Sequence, residues 1–125
     1  MATLFELQNP PFGQLTKTKV IKTENGAHTL TTAEIIEGIV DGTPTGNRAV
    51  TTPTAAAIIS ALGQQGGVGQ TFELTIVNKA TSTHKFTLTA GTGVTIVGDA
   101  EVAAATSGTF IFRVTSSTAV SAFRK

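Results

Sequence analysis

Gly91, Gly93 and Gly98 fall within TAGTGVTIVG (89–98), flanked by threonines, as in a loop that cradles a phosphate. Such a loop works because it joins a strand to a helix, whose first N–H groups and dipole face the anion. Here Gly91-Thr92-Gly93 leads into VTIV, a strand pattern, and no Lys-Ser/Thr pair follows. Gly66-Gly67-Val68-Gly69 also leads into a strand, with its helix on the wrong side. Both sets read as hairpin turns in which glycine supplies positive φ angles.

Other reactive groups are few. His28 and His84 are far apart in sequence and carry no nearby ligand spacing, so a solvated or hydrogen-bonded role is expected rather than a metal. Asp99 and Glu101 would share one face of a strand, where they could bind a hard cation or start an acid–base pair. No oxygen-rich loop surrounds them, and a lone pair at a turn is usually solvated. Ser60, Ser107, Ser116 and Ser117 lack a Gly-x-Ser-x-Gly setting, and there is no cysteine. No enzyme activity, cofactor or metal is expected.

Charged residues make up 14% of the 125 positions and the net charge is +1, which excludes a strongly basic nucleic-acid module. The seven phenylalanines mostly fall at inward positions of an alternating pattern, as core residues rather than stacking platforms. Arg113 and the Arg124-Lys125 end are too sparse for a basic stripe. No apolar run approaches the roughly 18–20 residues that span a bilayer, and the start, MATLFELQNPPFGQ, does not read as a signal peptide. Hydrophobic residues at 40% supply a core. Threonine occupies 24 positions. It is β-branched and stiff, suited to the half-exposed face of a pleated sheet. A neutral, Thr-rich β surface of this kind often meets other protein.

Three segments follow. Residues 1–29 read as an extended arm broken by Pro10-Pro11, then a small basic hairpin of TKTKVIKT, Asn25-Gly26 and AHTL. The arm's Leu4, Phe5, Leu7, Phe12 and Leu15 are too apolar for a free tail and either fold back on the core or dock on another chain. Residues 30–68 predict two helices and a loop. In LTTAEIIEGIV, Thr31 is the N-cap, Glu34 completes a capping box, Leu30 and Ile35 form a staple, and Asp41-Gly42 stops the helix. In TTPTAAAIISALG, Thr52 is the N-cap, Pro53 the first helical position and Gly63 the end. DGTPTGNRAVT between them reads as loop. Residues 69–125 alternate with period two, predicting strands near 71–78, 84–90, 93–98, 109–115 and 119–124, with a short one near 101–104. The fold class is mainly β: a small antiparallel sandwich or barrel of five to six strands, with two short helices and the arm.

The order of these motifs is more telling than any one residue. LTTAEIIEGIVDGTPTGNRAVTTPTAAAIISAL, then GQTFELTIVN, TLTAGTGVTIVG and SGTFIFRVTSSTAVSAFR, resembles small structural proteins of tailed double-stranded DNA bacteriophages. The nearest are capsid decoration (cement) proteins and related head-fibre or tail-associated modules. The resemblance covers roughly Leu30 to Arg124 and rests on turn-and-strand patterns rather than catalytic signatures. It implies a homotrimer on the outside of the virion, with the major capsid protein as partner and no nucleic acid or membrane. Capsid-contact candidates are then Leu4, Phe5, Leu7 and Phe12 in the arm, with Lys17, Lys19 and Lys22 beside it. The helix faces, Ile35, Ile36 and Ile39 with Ile58, Ile59 and Leu62, either cap the β body or join subunits. The alternative is a head-fibre or tail module that binds host-surface glycans through Phe123, Asn78 and Asp99. A depolymerase fragment ranks last, for want of an acid or nucleophile.

Overall fold

The structure, a computed structural model, describes residues 19–125. Short strands β1 (Ile21–Thr23) and β2 (His28–Thr29) precede helix α1 (Thr32–Ile35), strands β3 (Ile39–Gly42) and β4 (Arg48–Thr51), and helix α2 (Ala55–Leu62). Then come β5 (Thr71–Asn78), β6 (Phe86–Thr89), β7 (Val94–Val97), β8 (Glu101–Val102), β9 (Thr106–Ser116) and β10 (Ala119–Arg124). The protein is mainly β with two helices.

The strands form two mixed sheets, ordered β1-β3-β5-β9-β10-β7 and β2-β4-β6-β8. From β1 to β6 the chain alternates between them, so each strand lies parallel to the one two elements back. Parallel neighbours need a long crossover, and here the crossover runs through the opposite sheet. Each lap stitches to the last through pairs 18 residues apart: Thr23 Oγ1 donates to Asp41 Oδ1 at 2.6 Å and Thr43 N to Asn25 Oδ1 at 2.8 Å. The antiparallel pairing expected from the alternation is found where β9 lies between β5 and β10, and where β8 meets β6. β7 returns parallel to β10.

One apolar core fills the space between the sheets, and its inward residues are those of the period-two pattern. Leu74, Ile76, Phe110 and Phe112 come from the larger sheet, Phe86, Leu88 and Val102 from the smaller. Each such side chain contributes about 1.5–3 kcal/mol through burial. Phe72 and Phe112, register partners, stack with centroids 4.9 Å apart. Helix α2 packs Ala55 and Ile58 onto this core.

Several expected elements differ. Residues 21–29 are not a hairpin, because β1 and β2 enter different sheets and leave Asn25-Gly26 in a crossing between them. The first helix has its capping box, with Thr31 N donating to Glu34 Oε1 at 2.9 Å and Glu34 N to Thr31 Oγ1 at 3.3 Å, but it stops at Ile35. Glu37 takes a left-handed φ of 57° and Ile39–Gly42 becomes β3. A Cβ at Gly38 would overlap the Glu34 carbonyl oxygen, so glycine is required where the chain turns back. The segment expected as loop contains β4, whose Val50 is fully buried. The second helix is capped by Thr54, not Thr52. The Thr52 hydroxyl accepts from Gly91 N at 2.8 Å and Ala55 N donates to Thr92 O at 2.8 Å, so Thr52 caps nothing and the first side-chain cap is Thr54 Oγ1, which accepts from Ala57 N at 3.1 Å.

Candidate functional site

The glycine loop after β6 does meet a helix N-terminus, through space rather than along the chain. Ala55 N, the first amide of α2, donates to Thr92 O at 2.8 Å. Ala57 N goes to Thr54 Oγ1 at 3.1 Å and Ile58 N to Thr54 O at 3.0 Å. In the loop itself, Gly91 N donates to Thr52 Oγ1 at 2.8 Å and Val94 N to Gly91 O at 3.0 Å. Five of the donors that would cradle an anion, Ala55 N, Ala57 N, Ile58 N, Gly91 N and Val94 N, are held by the chain's own carbonyls and hydroxyls. The turn links the two sheets, so it is not a hairpin. Its glycines serve different needs. Gly93 has φ +84°, whereas a Cβ on Gly91 would lie 2.6 Å from both the Thr52 and Pro53 carbonyl oxygens. Gly91 is there for close approach.

The other groups singled out in the sequence are likewise tied into the fold. Asp99 Oδ1 accepts from Glu101 N at 2.9 Å, and the Glu101 carboxylate pairs with Lys85 at 2.8 Å. Arg124 reaches the same corner and donates to Asp99 O at 3.1 Å and Glu101 O at 2.7 Å, while its guanidinium lies 5.4 Å from the Phe110 ring centre. His28 Nδ1 is 2.9 Å from Gly26 O, and its Nε2 is buried without a partner. The His84 carbonyl serves Asn78. Among the described residues no three His, Asp or Glu side chains gather as metal ligands. Ser116 Oγ contacts Thr118 Oγ1 at 3.4 Å; none of the four serines has a histidine or carboxylate partner among the described residues.

Asn78 and Thr52 are buried polar residues that the sequence reading assigned to other roles. Asn78, placed among the glycan candidates, is 2% exposed. Its amide nitrogen donates to His84 O and Val102 O, each at 3.0 Å, and its oxygen accepts from Ala80 N at 2.9 Å. It ties the end of β5 to β8 and is out of reach of a sugar. The alternation of Phe72, Leu74 and Ile76 already aims position 78 inward, which was the available signal. Thr52, also 2% exposed, donates to Pro53 O at 2.8 Å and joins β4 to the glycine loop.

The interface candidates divide. Ile35 and Ile58 are wholly buried in this chain's core, so they cap the β body. Ile36, Ile59 and Leu62 are partly buried against that core, and Ile39 lies on β3 rather than on a helix. Ile36 also lines an open cleft of about 410 Å³ with Val20, Thr32, Ala33 and Ala61. Of the capsid-contact candidates, Leu4, Phe5, Leu7, Phe12 and Lys17 lie outside the described residues. Lys19 pairs with Glu37 at 3.5 Å, and Lys22 with Glu24 and Glu34 at 3.8 Å each. Such half-exposed pairs contribute at most about 1 kcal/mol.

Glu37 does more than its pairing with Lys19 indicates. Its other carboxylate oxygen accepts from Glu73 N at 2.8 Å, fixing the left-handed turn against β5. On the same sheet Asp41 is held below the usual aspartate range, first by the Thr23 hydroxyl and then by Lys79 at 3.2 Å, against a smaller opposing effect of burial than the hydroxyl's. The chain matches no family model, no curated protein and no solved structure among those it was compared with.

Proposed function

We propose that this chain is a structural protein of a tailed-phage virion. It binds the outer surface of the capsid through the major capsid protein, as a homotrimer, and cements neighbouring capsomers against the pressure of packaged DNA. One observation supports the reading above the others. Most of the groups that would otherwise suggest a ligand site are spent on the fold's own hydrogen bonds, while the large sheet carries a wide, sparsely charged face rich in threonines and β-branched residues. That combination suits a scaffold that grips protein neighbours. Three linked copies dock as one unit, and effective concentration raises avidity by about 10² to 10⁴ without new kinds of contact.

The test is co-sedimentation with purified heads that lack the protein. Saturable binding at micromolar concentration, with a higher temperature for DNA release, is expected. Heads that neither bind it nor gain heat resistance contradict the reading.

A further inference from the structure

An apolar cleft opens at the point where the described chain begins. It is lined by Thr32 and Ala33 of α1, that helix's cap residue Ile36, Ala61 of α2, and Val20, which is 41% exposed. Thr32 is the one polar residue of the lining, and none of the five is charged. A small polar ligand needs several placed polar groups, and a nucleic acid needs a basic surface. An apolar side chain needs neither. A cavity of about 150 Å³ holds a benzene, so a cleft of about 410 Å³ has room for one large side chain and the backbone that carries it.

The chain supplies such a side chain close to the rim. Ile39 N donates to Val20 O at 3.0 Å, and Lys19 Nζ donates to Glu37 O at 3.2 Å. The backbone is therefore held at the very residue that lines the cleft. Residues 1–18 lie upstream, outside the described part, and Leu15 is their apolar residue nearest to Val20 in sequence. Thr16, Lys17, Thr18 and Lys19 separate the two. Four residues suffice for one reversal of the chain. Five residues of chain reach about 17 Å, more than the roughly 8–10 Å between the axes of packed helices. A tether this short holds Leu15 at millimolar effective concentration, well ahead of a second copy or a foreign chain in dilute solution.

We infer that residues 15–18 fold back over this cleft and that Leu15 of the same chain fills it, packing on Val20, Ile36 and Ala61. This goes beyond the proposed function and does not rest on it. Leu15 is thereby assigned to its own body, while Leu4, Phe5, Leu7 and Phe12 stay candidates for the capsid.

Because the chain has no Trp or Tyr, Leu15→Trp in the full chain is a single fluorescent reporter. Its emission is expected at shorter wavelength, with weaker acrylamide quenching, than that of the control Val68→Trp, at a position 64% exposed outside the sheets. Adding Ala61→Arg fills the cleft from its wall, and an arginine in the last turn of α2 suits the helix dipole. The wavelength shift is then expected to be lost with circular dichroism unchanged. Ala33→Gln takes its place should Ala61→Arg not fold. Refolding this double variant with an excess of Leu15→Lys chains, whose clefts are intact, is expected to restore nothing. Recovery of the shift there would give the cleft to a second copy and overturn the inference. Leu15→Trp emission equal to that of Val68→Trp also overturns it, as does a shift that survives filling of the cleft.

Discussion

Replacing Asn78 by alanine removes a buried polar hub and leaves its partners behind. The Ala80 N–H loses its acceptor, and the His84 and Val102 carbonyls lose their shared donor, at a position only 2% exposed. Each lost hydrogen bond costs about 1 kcal/mol net, and more where a buried group is left unpaired, so the sum is about 3 kcal/mol. At about 4 °C per kcal/mol for a domain of this size, Tm should fall by roughly 12 °C. The chain has no Trp or Tyr, so thermal and urea unfolding are best followed by far-ultraviolet circular dichroism. Asn78→Asp should be worse than Asn78→Ala, because it turns an acceptor oxygen towards two carbonyls. A fall in Tm of under about 4 °C for Asn78→Ala, or an Asn78→Asp protein as stable as the wild type, would refute the hub.

Two further perturbations follow from the same geometry. Gly91→Ala drives a Cβ against two carbonyl oxygens at 2.6 Å and should cost about 1–3 kcal/mol by overpacking, read as a lower urea midpoint. Calorimetry should detect no binding of inorganic phosphate to the wild type at millimolar concentration, and measurable binding would reopen the anion-loop reading. Because the Asp41 carboxyl is held below its ordinary value, chiefly by Thr23, its contribution is present above the unfolded pKa and is lost as pH falls through the folded value. The urea midpoint of the wild type should therefore drop more than that of Asp41→Asn between pH 5 and pH 2. Equal drops would remove Asp41 from the account.

What the sequence disclosed depended on how strongly one period dominated. In β5, Phe72, Leu74 and Ile76 alternate cleanly between turn residues, and the expected span 71–78 is the observed one. The span 119–124 of β10 was equally plain. IIEGIV was ambiguous because Ile35, Ile36 and Ile39 satisfy a helical stripe, while Ile39-Val40 also fits a strand. The decision lies in the left-handed backbone of Glu37, a non-glycine that its carboxylate's bond to Glu73 N helps to hold. Strand direction was illegible, since period two is the same for parallel and antiparallel neighbours. Mixed sheets with chain crossings between them were therefore hidden. The link from the glycine loop to α2 was also hidden, as Thr52 and Gly91 are 39 residues apart. The fully buried Ile35 and Ile58 show how little an amphipathic stripe says about whether its cover comes from the same chain or another.

A cryo-electron-microscopy map of the virion that carries this protein would test the central claim most directly. The account predicts density for the two-sheet body on the capsid exterior, in groups of three, bridging adjacent capsomers. Heads bare of such density, with the body found only at the tail or absent from the particle, would contradict it.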